Sequence, residues 1–224
     1  GANARKFMNG VDVVYSSDGN GAYDAVLIGS GDRENPFDTS ITNRFYMLKD
    51  RATSAVTSDT AITTLTETDL YDTSSDLIQT GTTAEVAAEK AKLLAAKGWY
   101  ITLRSGEKVS GGATTIAGTT FFGTSQTQTV GSASCTANLG TSRSYAVGFK
   151  DGTAVFNFDA LAGLTSADRA TGGDSGSGLL PTPTPIVVEI DGKRRLAVCF
   201  GPSCITYEQN YGHRGRAFWY KTID

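Results

Sequence analysis

Short β-branched and aromatic runs, cut by Gly, Asp and Asn, constrain this chain more than any other feature. Val11–Tyr15 and Tyr23–Ile28 flank Asp18-Gly19-Asn20-Gly21, two hairpin-turn dipeptides in succession. Arg44–Leu48 reads as a third strand. Trp99–Leu103, Ala113–Ala117 and Thr119–Gly123 follow the same grammar, with Gly118 at a tight turn. Tyr145–Phe149 and Ala154–Phe158 flank Asp151-Gly152; Pro185–Ile190 and Leu196–Phe200 flank Asp191-Gly192. Ile205–Glu208 and Ala217–Lys221 close the series. Runs this short, separated by turn residues, predict an all-β, antiparallel chain.

One segment departs from that period. Thr82 followed by Glu85 is a capping box, and Ala84–Lys97 is almost wholly strong helix formers. Glu85 and Glu89 near its start and Lys92 and Lys97 near its end suit the macrodipole, and Gly98 reads as the stop. Residues 84–97 are thus expected as one short helix inserted in a β chain.

A hairpin, a Gly-containing triplet, a loop and an aromatic strand recur three times. The triplets are Gly29-Ser30-Gly31, Gly123-Thr124-Ser125 and Gly201-Pro202-Ser203; the aromatic strands are Phe45-Tyr46, Tyr145-Ala146 and Phe218-Trp219-Tyr220. Weak copies of an antiparallel unit are the signature of propeller blades. The units fall at about residues 11–50, 99–159 and 181–221 of one domain, 1–224. A closed propeller has about 4 to 8 blades, so this chain is expected to be part of a larger propeller, its open edges meeting an upstream part of the same polypeptide. A single β-sandwich is the rival architecture.

Composition narrows the function. The 224 residues carry 20 basic and 23 acidic side chains, a net charge of −3, which argues against nucleic acid. The hydrophobic share of 39% excludes a disordered chain. No apolar run approaches the roughly 18 residues of a transmembrane helix. The opening residues lack a basic region followed by an apolar one, so the expectation is a processed or truncated piece.

Several constellations invite a chemical reading. Gly173-Asp174-Ser175-Gly176 matches the start of a serine-peptidase motif. Ser175 would need a base, and His213, the sole histidine, lies downstream of it. A hydrolase order Ser175, Asp191, His213 would need a strand–elbow–helix, and nothing around Ser175 reads as helical, so residues near it read as a flexible loop. A secreted serine hydrolase using Ser175 is therefore the alternative function, and a ligand-binding propeller module a further one. His213 has no partner at zinc-ligand spacing. Cys199 and Cys204 could pair across a hairpin, Cys135 could bond either, or the thiols could stay free. Lys193-Arg194-Arg195 reads as a solvated turn. Asp32-Arg33-Glu34, before Asn35-Pro36, opens a loop that either makes salt bridges or carries recognition.

Taken in order, Arg5-Lys6-Phe7, Asp12-Val13-Val14, Gly21–Pro36, Asn43–Asp50, Gly98-Trp99-Tyr100, Gly106-Glu107-Lys108-Val109, the Cys135 loop, Tyr145 and Gly215–Trp219 resemble the C-terminal propeller of the PilC/PilY family. The resemblance implies a non-enzymatic type IV pilus biogenesis factor and tip-associated adhesin. It implies an extracellular place at the pilus tip or outer cell surface, with minor pilins, the pilus fibre and a host or abiotic surface as partners. The family's Asp-rich calcium loop has no complete copy here. Its best substitute for a metal site is Asp18, Asn20 and Asp24, with Ala22 where a further ligand would stand. Calcium needs about 6 to 8 oxygens, so the same loop also reads as a plain hairpin turn.

Overall fold

The structure, a computed structural model, describes residues 4–52, 64–127, 140–175, 178–190 and 192–207. Its elements are β1 (Asp12–Asp18), β2 (Gly21–Gly29), β3 (Arg44–Asp50), β4 (Tyr71–Asp72), α1 (Leu77–Thr80), α2 (Thr83–Ala95), β5 (Gly98–Thr102), β6 (Glu107–Val109), β7 (Thr114–Ile116), β8 (Thr119–Gln126), β9 (Thr141–Gly148), β10 (Asp174–Ser175), β11 (Thr184–Ile190), β12 (Lys193–Phe200) and β13 (Ser203–Tyr207). Among the described residues they form three sheets. The first runs β1-β2-β3-β5-β4, the second β10-β9-β8-β6 with β7 also on β8, and the third β11-β12-β13. All pairs are antiparallel except β4 with β5.

The second sheet is buried on both faces, and two adjacent residues show why. Successive side chains on a strand point to opposite sides. Phe122 stacks on Phe45 of the first sheet, with ring centroids 3.8 Å apart, and on Tyr145 at 4.6 Å. Phe121 turns the other way, into a cluster with Leu196, Val198 and Phe200 of the third sheet. Trp99, Leu27 and Met47 complete the first interface. Among the described residues, three sheets stacked face to face without closure make the all-β, propeller-like architecture.

Helix α2 forms where the capping box predicts it. Thr82 N–H donates to Glu85 Oε2 at 2.8 Å and Thr82 Oγ1 accepts from Glu85 N–H. Its end is different from the expected glycine stop: the cap is Ala96, in extended conformation, and Gly98 opens β5.

Two expected pairings change. Trp99–Leu103 does not open the second unit. Its strand lies beside β3, Trp99 opposite Met47 and Ile101 opposite Phe45, so that both inward rows join one core. Ala154–Phe158 is not a strand. Gln79 exchanges hydrogen bonds with both the N–H and the carbonyl of Ala154, and Asp168 accepts from Phe158 N–H, so side chains replace the ladder. Of the cysteine alternatives, Cys199 and Cys204 pair across the β12–β13 hairpin as a disulfide. Cys135, His213 and the Ala217–Lys221 strand lie outside the described residues.

Candidate functional site

The loop after β2 builds the cleft best suited to recognition. Lys108, on β6, is buried beneath it, and its ammonium donates to the carbonyls of Pro36 at 3.0 Å and Asp38 at 2.6 Å. Burial lowers its pKa, partly offset by the carboxylates of Asp38 and Asp32. Thr127 Oγ1 also donates to Pro36 O. The loop is thus pinned from below by its own backbone. Of the two readings of Asp32-Arg33-Glu34, the acids make salt bridges: both meet Lys6, at 2.8 and 3.4 Å. Arg33 instead reaches the rim of an open cleft of about 390 Å³. Phe37, Pro36 and Leu179 form its apolar lips, and Gln126 and Thr127 its polar side. Phe37 is 66% exposed, a large ring held in water by a fixed loop. Such a mixture suits binding of a partly apolar group.

Beside this cleft lies a polar cluster that sequence reasoning missed. Glu107 is fully buried and accepts from Thr124 Oγ1 at 2.6 Å, Tyr145 Oη at 3.1 Å and Arg104 N–H at 3.0 Å. Burial, then the Glu107 charge, pushes the Tyr145 hydroxyl up. The cluster latches β6 to β8 and β9. A lone Glu opening a three-residue strand gave no sign of it.

Asp18, Asn20 and Asp24, the residues expected to hold calcium, are not brought together on one face. In the β1–β2 register Asp18 faces Gly21 and Tyr15 faces Asp24. Alternation then puts Asp18 with buried Tyr23 on the inner face and Asp24 on the outer one. Asn20 Nδ2 donates to Leu94 O, and its N–H caps Asp18. The Asp18 carboxylate already receives Arg51 at 2.7 Å on both oxygens and Lys49 at 3.1 Å. Among the described residues no three His, Cys, Asp or Glu side chains gather as a metal site.

Burial would raise the Asp18 pKa; the Arg51, Asn20 and Lys49 contacts outweigh it and hold the carboxyl at about 2 rather than 3.8. A depressed carboxyl stabilises the fold above its unfolded pKa and loses that stabilisation as pH falls through the folded one. Asp18→Asn should therefore cost roughly 2 kcal/mol at neutral pH and flatten the acid limb between about pH 4 and pH 2. Urea unfolding across that range checks it; an unchanged limb counts against the pair.

Ser175 stands on β10, opposite Thr141, and not in a loop or on a strand-to-helix elbow. The short pairing with β9 straightens a segment that Gly and Ser alone suggested was flexible.

Among the described residues the fold is of a class: antiparallel sheets stacked face to face without closure. Its particular likeness is the crystal structure of the Pseudomonas aeruginosa PilY1 C-terminal domain, with a TM-score of 0.55 and 14% identity. The match covers 91% of this chain and 45% of that one, so the chain spans less than half of that domain. No family model and no curated protein matches the chain.

Proposed function

We propose that this chain is part of a non-enzymatic, pilus-associated surface protein, its stacked sheets presenting loops at a type IV pilus tip. It would dock on minor pilins, support pilus assembly and mediate attachment to a host or abiotic surface. The likeness of nearly the whole chain to the PilY1 C-terminal domain carries the reading. The Cys199–Cys204 disulfide supports an extracellular setting, where such bonds persist. Among the described residues no helix is long and apolar enough to cross a membrane.

The outer face of the first sheet supports packing against further blades of the same polypeptide. Val13, Val26 and Leu48 align in one cross-strand row, and Ile28, Tyr46 and Tyr100 in the next. On the edge strand, Val13 and Tyr15 are 53% and 75% exposed. An apolar face ending in an open edge invites another sheet.

The test is deletion of the gene in its native bacterium, with pili counted by electron microscopy and surface attachment measured. Loss of both, restored by the full-length gene, is expected. Unchanged piliation and attachment would overturn the proposal.

A further inference from the structure

The hairpin turn that the sequence offers to a cation also lines a pocket that three lysines enter. Between the β1–β2 hairpin, the end of β3, the C-terminal half of α2 and the turn after β9 lies an open pocket of about 320 Å³. Lys49, Lys90 and Lys150 reach it from three different elements, with Leu93 and Leu94 as an apolar wall and Asp18 as its carboxylate.

The charges do not cancel. Asp18 is held by Arg51 on both oxygens and by Lys49. The Lys49 ammonium is buried, donates to Leu93 O at 3.1 Å and to Asp18, and has a third N–H beyond those two. Lys90 and Lys150 are exposed and make no ion pair among the described residues. The neighbouring acids are occupied elsewhere. Glu89 accepts from Tyr71 and Lys92, and Asp151 from Thr153. The pocket thus carries three lysines against one carboxylate that Arg51 and Lys49 already hold, in a chain whose net charge is −3. Concave, partly apolar walls focus such a field and concentrate counter-ions.

From this pocket we infer an anion-binding site that takes a carboxylate or sulfate group borne on a compact ring, such as an acidic sugar. The oxyanion would sit among the three ammonium groups, and the ring would cover Leu93 and Leu94. The inference is independent of the pilus reading, since it rests on the pocket alone.

The experiment is calorimetric titration of the full chain with glucuronate, glucose and inorganic sulfate. Glucuronate should bind and glucose should not, and added salt should weaken binding. Sulfate binding as tightly as glucuronate assigns the site to the oxyanion alone, within the same chemistry. Lys90→Glu and Lys150→Glu lie on exposed positions and should each weaken glucuronate binding by roughly fivefold or more. Circular dichroism of both variants should match the parent. The inference is overturned if neither anion binds, if glucose binds as well as glucuronate, or if the two correctly folded variants bind like the parent.

Discussion

Replacing Arg169 with Met should destabilise the chain by about 3–5 kcal/mol, because it strands a buried carboxylate. Arg169 is 3% exposed and donates to Asp76 Oδ1 at 3.0 Å and to the Thr73 carbonyl at 2.6 Å. Asp76 is 2% exposed, in left-handed conformation at φ 58. Its other oxygen has no hydrogen-bond partner. Burial already pushes the Asp76 carboxyl up and the Arg169 guanidinium down, each restrained by its partner. The pair joins the turn after β4 to the short 3-10 turn at Ser166–Arg169, which in turn lies against β9. Asp76→Asn keeps the left-handed backbone tolerable and removes the charge. The double variant Arg169→Met, Asp76→Asn should be more stable than the two single costs summed, by about 0.5–3 kcal/mol. Urea midpoints of the four proteins give the cycle. A single-variant cost below roughly 1 kcal/mol, the range of exposed pairs, would show that the ion pair does not anchor the turn.

Gly98→Ala should cost about 3–5 kcal/mol, from backbone strain and overpacking together. Gly98 has φ 150, a region that L side chains rarely adopt. A Cβ there would stand 2.1 Å from the Met47 carbonyl oxygen and 3.0 Å from Leu48 Cα, both of them backbone atoms. Neither can rotate away, so β3 and β5 would have to part. Gly118→Ala is the control: it also has positive φ, at 85, but nothing lies within 4 Å of its Cβ position. Thermal unfolding should place the Gly98 variant well below the Gly118 variant, and equal melting temperatures would reject the close-approach argument.

Much of the fold was legible. Turn dipeptides located hairpins such as Asp18–Gly21, and Thr82 with Glu85 located the start of α2. The Asp32–Pro36 segment was legible as a loop of interest. Its cleft was not, since Lys108 and Leu179 come from distant parts of the chain. Gly98 shows the gap most plainly: its composition context suggested a helix stop, whereas a neighbouring strand's carbonyl demands it.

The local periods are a property of neighbouring residues. The alternation that sends Phe121 and Phe122 to opposite faces is written in two neighbouring residues, and so is a hairpin turn. Which strands became neighbours was settled by long-range packing. It placed Trp99 beside Met47, put Asp18 and Asp24 on opposite faces, joined Arg169 to Asp76, and gathered Lys49, Lys90 and Lys150 at one pocket. Local preferences act over a few residues. Closing a longer loop costs only slightly more entropy, so separation along the chain barely distinguishes one distant partner from another. The choice falls to which arrangement buries complementary faces together, and that is a property of the whole chain.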